Sequence, residues 1–333
     1  MDRMLPRPRF WAESAAQCKT CYSLVGELLI FLLLYVISAL IQGFVLTIPT
    51  TVWVMGTGSE EMMTALAAGA TPQSVMEKLL SEMPDWLSLV SLFASSAMGA
   101  VALVYCKNFQ KRSPASMGLR GRAPLLEYLL GFGFGLALFC AAMGIGTATE
   151  GFALLRQAPS GSRLALGLLA LPGCMLQGAS LELLIRGYYT PSLGGRYPVG
   201  LTLLLSTLAP VMLQSGGSLF SLSAVNALLL GLLLGIWCLK RGNLWSACAL
   251  RGAWLFASGW LFDFAPAGKH TGVRLLDVDV DLFRPSLSGG AYGPQAGLCV
   301  TVVLLAGLML VLALKPLDPA PQAPRDEQAA NYL

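Results

Sequence analysis

The sequence is poor in charged residues and contains a single histidine. Of its 333 residues only 12% are charged and 55% are hydrophobic, whereas about a quarter of a soluble domain is charged. This composition excludes an ordinary soluble globular protein. The formal net charge is +4, but no basic patch with interleaved aromatic residues is present, so we exclude a nucleic-acid partner. The lone histidine, His270, also leaves few ligands for a metal site that depends on imidazole.

Long apolar runs are abundant instead. A run of about 20 apolar residues spans a bilayer, and the candidates are 24–46, 86–106, 125–147, 164–186 (extendable to 194), 199–214, 220–239, 243–264 and 295–314. We therefore predict an all-α membrane protein, a bundle of about eight transmembrane helices embedded in the lipid bilayer. The first run follows a polar, basic stretch and lacks a small-residue cleavage site, so we interpret it as a retained helix.

The distribution of basic residues predicts the orientation. If the N-terminus is inside, 15 of the 22 lysines and arginines fall in inner segments, 6 fall in outer segments, and Arg251 lies within a span. Because short cytoplasmic loops carry the excess of basic residues, both termini should be cytoplasmic. We expect integral insertion in a bacterial plasma membrane.

These spans divide the chain into six segments. They are a cytoplasmic N-terminal segment 1–22, transmembrane helices 1–3 over 23–165 with an outer loop 57–85, a core over 166–265, an outer loop 266–294, a final helix 295–315, and a disordered tail 316–333. The first outer loop predicts a short amphipathic helix on the membrane surface. The second contains "DVDVDLF", which lacks the glycine and terminal glutamate of a calcium loop and is interpreted as a solvated strand.

Cysteine chemistry gives no firm site. Six of the eight cysteines lie in or at the ends of apolar spans, where a thiol behaves as a small hydrophobic group. Cys18 and Cys21, in "CKTC", have the spacing of half a zinc site or of a redox pair, but no further ligands lie nearby. We interpret them as a reduced pair, with palmitoylation as an alternative.

A carboxylate and a guanidinium within an apolar span are the strongest site signal. Glu182 and Arg186, in "LELLIRG", stand at i and i+4 on one helix face and can neutralise each other. Ionisable groups in a span cost about 2.5–3.5 kcal/mol each on insertion scales, so they usually face the bundle interior and pair. Gln214 and Arg251 add polar groups on two later spans. From composition alone, structural contacts between helices explain all four.

The order of these residues carries a resemblance. The block "LELLIRGYYTPSLGGRYPVGLTLLLSTLAPVMLQ", followed by "NALLLGLLLGIWCLKRGNLWSACALRGAWLFASGWLF", resembles the CPBP family of intramembrane metalloproteases, which includes the CAAX prenyl endopeptidases, bacteriocin-processing enzymes and Abi-like proteins. The resemblance covers about residues 170–265. It implies a CAAX-protease-like core and three catalytic motifs, Glu-Glu-x-x-x-Arg, Phe-x-x-x-His and His-x-x-x-Asn or Asp, whose leading glutamate and two histidines support a metal or activate water.

The chain departs from this family pattern at the catalytic positions. Leu181 stands in place of the leading glutamate, Gln214 and Arg251 in place of the two histidines, and Leu255 in place of the final amide or acid. Glu182 and Arg186 keep the pair that braces the site. The zinc of active members is therefore not expected here, since a catalytic zinc needs about three protein ligands.

Three hypotheses follow. The first is a catalytically inactive homologue, a pseudoprotease that binds a hydrophobic or prenylated peptide or a membrane-protein partner without cutting it. The second is an active endopeptidase with an atypical site, and the third is a small transporter or channel. Under the first, Arg251 fills the space left by the lost groups and forms a buried ion pair with Glu182, helped by Arg186. The excess positive charge would then make the cleft a binding site for an anionic group.

Overall fold

The computed structural model describes residues 5–20, 22–58, 63–64, 67–69, 71, 84–121, 123–155, 161–214, 220–262, 277–280, 285–290 and 293–317. The helices are α1 Arg9–Gln17, α2 Leu24–Trp53, α3 Asp85–Ala94, α4 Ser96–Asn108, α5 Pro124–Ala148, α6 Gly161–Glu182, α7 Thr190–Gly194, α8 Val199–Gln214, α9 Leu222–Arg241, α10 Trp245–Phe256, α11 Pro285–Ser288 and α12 Leu298–Ala313. Wide π turns follow three of them, over Val54–Gly58, Leu183–Tyr189 and Ala257–Leu261, and 3₁₀ turns cover Pro114–Met117 and Pro294–Ala296.

Each of the eight predicted apolar runs coincides with a helix, and the protein is an all-α membrane protein. Five helical stretches are long and apolar enough to cross a bilayer: Leu24–Gly56, Asp85–Asn108, Pro124–Ala148, Leu164–Gly194 and Leu222–Arg241. Val199–Leu213 and Leu298–Ala313 are apolar but shorter. The eighth, α10, is also short, and it is the most enclosed by its neighbours.

Helix α10 lies at the centre because small residues let other helices approach it closely. It packs mainly against α5 and α6. A Cβ added to Gly131 of α5 would lie 2.0 Å from the carbonyl oxygen of Ser246, and one added to Gly178 of α6 would lie 2.5 Å from the nitrogen of Gly252. Glycine is therefore required at both crossings, in the manner of small-residue contacts between membrane helices. These crossings bring α6 and α10 backbone to backbone just before Glu182.

The N-terminal segment contains a docked helix that the sequence analysis did not predict. In α1, Phe10 and Trp11 are buried. Trp11 packs over Gly194 at the end of α7, where a Cβ would lie 2.2 Å from its ring. Glu13 forms an ion pair with Arg120. The segment 1–22 is therefore part of the folded bundle over its helical residues.

Two short strands form the only sheet in the part of the chain that the structure describes. β1, Phe152–Leu155, pairs antiparallel with β2, Asp277–Val280, so that Phe152 lies opposite Val280. The strand predicted from "DVDVDLF" is thus confirmed over its first four residues. Most of the predicted surface helix of the first outer loop, residues 318–333 of the tail, Cys21 and His270 lie outside the described residues.

Candidate functional site

The candidate site begins at the end of α6, where Glu182 is fully buried. Helix α6 then widens into the π turn Leu183–Tyr189. Pro191 follows and has no N–H, so it cannot donate to the carbonyl of Gly187 four residues earlier. The hydroxyl of Thr190 reaches back across the turn to the carbonyl oxygen of Ile185, at 2.8 Å. Such π turns recur at functional sites because they re-aim side chains within a helix.

Glu182 is held by two arginines. Its Oε1 lies 3.2 Å from Nη1 of Arg186 and 3.3 Å from Nε of Arg251. The predicted ion pair between Glu182 and Arg251 is therefore present, with Arg186 sharing the same oxygen. Arg186 is only 2% exposed, so the cluster places two positive charges and one negative charge inside the bundle.

Arg186 also donates a hydrogen bond to the backbone of a second helix. Its Nη2 donates to the carbonyl oxygen of Gly231 on α9, at 2.6 Å. Glycine at position 231 also permits the close packing of α8 on α9, because a Cβ there would lie 2.6 Å from Cγ2 of Thr207. Within the described ranges, Oε2 of Glu182 and Nε of Arg186 have no hydrogen-bond partner. The cluster thus retains buried polar capacity, which costs free energy unless something satisfies it.

A cavity of about 300 Å³ lies beside Arg251. Its walls come from α3, α6, α9, α10 and the start of α12, and they combine apolar side chains with a few polar ones. The lining includes Leu92, Gln177, Leu230, Arg251, Trp254 and Leu255. Arg251 keeps 14% of its side chain exposed, whereas Glu182 is 0% exposed and does not line the cavity. Arg251 is therefore the charged group of the cluster that a ligand can reach.

The other motif positions are dispersed. Leu181 packs against the apolar cluster around Phe31, on a different side of α6 from Arg251. Leu255 lines the cavity one turn after Arg251. Gln214 is the last residue of α8, and its side chain lies outside the described part of the chain. The structure brings Glu182, Arg186, Arg251 and Leu255 together, and Leu181 does not join them.

The donor set does not resemble a zinc site. Among the described residues, no group of three histidine, cysteine, aspartate or glutamate side chains is placed to hold a metal ion. A catalytic zinc needs about three such ligands and an open position. Glu182 offers a single carboxylate, and the two guanidiniums that contact it would repel a divalent cation.

A second polar cluster, at the end of the bundle where α2 begins, was not predicted. Glu27 at the start of α2 is 0% exposed. Its Oε2 accepts a hydrogen bond from the hydroxyl of Tyr188, at 2.9 Å, and its Oε1 lies 3.0 Å from Nη2 of Arg196. The signal was available, since Glu27 is the only acid in a long apolar run, but nothing in the spacing pairs it with residues far along the chain.

Arg112 is another buried charged residue that the sequence analysis missed. It is 2% exposed and donates to neutral acceptors: Oε1 of Gln110 at 2.9 Å, the carbonyl of Ser116 at 3.0 Å and the carbonyl of Gly187 at 3.1 Å. The last is the acceptor that Pro191 leaves free. Burial lowers the pKa of the Arg112 guanidinium, because desolvation disfavours its charged form. Arg112 joins the loop after α4 to the π turn of the site.

Comparison with known families locates the domain. Residues 163–257 match the family described as Type II CAAX prenyl endopeptidase Rce1-like. The matched segment runs from the start of α6 to the end of α10 and includes all the motif positions considered above. No curated protein and no solved structure gives a match to the chain. The chain therefore carries an Rce1-like CAAX-protease domain within a membrane-embedded bundle, which agrees with the resemblance found in the sequence.

Proposed function

We propose that this protein is a catalytically inactive homologue of the CAAX-protease family, a pseudoprotease of the membrane. In this proposal it binds a hydrophobic or lipidated peptide, or a membrane-protein partner, and does not cleave it. The Rce1-like domain supplies the fold, but a fold transmits an activity only through its site residues. The argument therefore rests on the site.

The main observation that supports this proposal is that the carboxylate of Glu182 forms ion pairs with Arg186 and Arg251. A general base must reach the water or substrate from which it takes a proton. Glu182 is fully buried and absent from the cavity wall, and its Oε1 already contacts both guanidiniums. Its geometry supports a structural role.

The remaining motif positions support the same proposal. Leu181 and Leu255 cannot exchange protons, and the amide of Gln214 has no useful pKa for general acid–base chemistry. Arg251 stays protonated and offers only donors. We therefore propose that the protein needs no zinc and has no other resident cofactor.

The cavity supports binding without cleavage. Its apolar walls, from Leu92, Leu230 and Trp254 among others, suit an apolar side chain or part of a prenyl group, and its size is at the lower end for a small-molecule site. We place the protein in a bacterial plasma membrane with both termini cytoplasmic, on the basis of the basic-residue asymmetry.

The test combines metal analysis, binding and cleavage on the purified protein in nanodiscs. We expect substoichiometric zinc, saturable binding of a fluorescent farnesylated peptide measured by anisotropy, and intact peptide by mass spectrometry after long incubation. The matched comparison is a variant with the two histidines and the amide of the motifs restored, Gln214→His, Arg251→His and Leu255→Asn, which should gain zinc affinity.

Two results would overturn the proposal. One zinc per chain that is abolished by Glu182→Gln, together with peptide cleavage, would identify an active endopeptidase with an atypical site. Absence of binding to any hydrophobic or lipidated peptide, with ion or solute flux through protein-containing vesicles, would favour a transporter or channel.

A further inference from the structure

The described residues do not balance the charge of the cluster. Oε1 of Glu182 accepts from both Arg186 and Arg251, so one negative charge faces two positive charges. Across the described ranges, no second carboxylate lies within ion-pair distance of either arginine. An excess positive charge in a low-dielectric bundle is unfavourable unless an anion or water compensates it.

Arg251 is the group that can bind an anion to balance the excess positive charge. Only its Nε is used, in the contact with Glu182. Its Nη1 and Nη2 make no hydrogen bond to the part of the chain that the structure describes, and the side chain lines the cavity. A guanidinium presents its N–H groups in a planar fork that matches the two oxygens of a carboxylate. Arg186 cannot play this part, because Nη1 and Nη2 are both engaged and the side chain is 2% exposed.

The rest of the cavity has the character of a site for an amphiphile. Leu92, Leu230, Trp254 and Leu255 provide apolar surface beside the guanidinium. Gln177 adds one polar side chain at the wall. A volume of about 300 Å³ corresponds to roughly ten water molecules at about 30 Å³ each. This is room for a carboxylate and a short apolar chain, and too little for a folded partner segment.

We propose that this cavity binds the carboxylate of an amphiphile, with the anionic head on Nη1 and Nη2 of Arg251 and the apolar part against Trp254 and Leu255. This deepens the proposed function, on which its biological setting rests, because the free C-terminus of a hydrophobic peptide has this chemistry. The head of a short fatty acid has it as well. In either case the ligand supplies the negative charge that the described part of the chain lacks, and the position that carries a histidine in active relatives becomes an anion-recognition residue.

The experiment measures ligand affinity by calorimetry on the protein in neutral-lipid nanodiscs. The probes are octanoate with 1-octanol, and a hydrophobic tetrapeptide with a free C-terminus together with its C-terminal amide. We expect at least one acid to bind about tenfold or more tightly than its neutral counterpart, because a hydrogen-bonded charge pair is lost in the latter. Arg251→Leu should remove that preference, since Glu182 then keeps Arg186 as a neutral pair. Arg120→Leu, which removes an exposed arginine paired with Glu13, should leave it unchanged.

The outcomes separate this inference from the proposed function. If acids and their neutral counterparts bind equally in wild type and in Arg251→Leu, the anion site is refuted, while peptide binding itself still stands. If octanoate alone binds with dependence on Arg251, the anion site stands and the peptide function loses its support. If no probe binds to the wild-type protein, whose fold is verified by thermal unfolding, the inference is refuted.

Discussion

At the scale of single residues, Glu182 determines whether the centre of the bundle is stable. Among the described residues, it is the sole acceptor for Nη1 of Arg186 and for Nε of Arg251. Removing one member of a buried ion pair typically costs about 3–5 kcal/mol, because the partner remains buried and unpaired. Here two partners would remain, so the loss should be at the upper end of that range.

The first prediction is a double-mutant cycle on this pair. Glu182→Leu should be strongly destabilising, whereas Glu182→Leu combined with Arg251→Leu should recover part of the loss, because one stranded cation is removed. Thermal unfolding in detergent measures both. The matched control is the exposed pair of Glu13 and Arg120, for which the coupling should be within about 1 kcal/mol. Simple additivity of the Glu182 and Arg251 losses would show that the two groups do not interact.

A second prediction concerns Arg112. Its donors satisfy the carbonyl oxygens of Ser116 and Gly187, and hydrogen bonds to a charged group are worth about 1.5–3 kcal/mol each. Arg112→Leu should therefore lower the free energy of unfolding by several kcal/mol. Lys107→Leu, which removes an exposed positive charge of α4, should change it little. Equal effects of the two substitutions in chemical denaturation would contradict the role assigned to Arg112.

Individual residues also show which contacts could be predicted from the sequence and which could not. Glu182, Arg186 and Arg251 could be predicted to meet, because their order in the chain follows a known set of motifs. Arg112 and Glu27 could not, because their partners, Gly187 and Tyr188, lie more than 70 residues away and no local pattern links them. Their burial is a result of tertiary packing.

At the scale of elements, the helices were predictable and their irregularities were not. Apolar runs of membrane length leave the backbone no other way to satisfy its hydrogen bonds, so eight runs became helices. The π turn Leu183–Tyr189 and the docked helix α1 depend on contacts between distant segments. In α1, Phe10 and Trp11 are buried against the bundle, although the sequence of 1–22 predicted only a polar, basic segment.

The third prediction tests the contact between α5 and α10. Gly131→Ala places a methyl group 2.0 Å from the carbonyl oxygen of Ser246, so the two helices must separate, and we expect a loss of several kcal/mol by analogy with overpacked cores. Gly133 is two residues along the same helix and has open space around it. Gly133→Ala should be neutral or stabilising by up to about 1 kcal/mol, because alanine favours the helix. The paired thermal shifts provide the measurement, and equal shifts would exclude a tight crossing at Gly131.

At the scale of the whole molecule, the site depends on where the membrane lies. The cavity is lined by the first turns of α9, including Ser223 and Asn226, and by Gln295 just before α12. With the N-terminus inside, these ends of α9 and α12 face outward, so a ligand would enter from the outer side. The inner end is covered by α1 and held by Glu27 and Arg112. The orientation of the protein therefore determines from which side of the membrane a ligand enters the cavity.

The last prediction tests this orientation by labelling introduced cysteines. The background variant has Cys18, Cys21 and Cys140 replaced by serine. Ser59→Cys and Ser286→Cys, in the two outer loops, should react with a membrane-impermeant maleimide in intact cells. Asn108→Cys, exposed at the end of α4, should react only after the membrane is permeabilised, and it serves as the inner control. The physical reason is the excess of lysine and arginine in the segments assigned to the cytoplasm. The reverse pattern, with Asn108→Cys labelled in intact cells and the other two protected, would invert the topology and place the mouth of the Arg251 cavity on the cytoplasmic side.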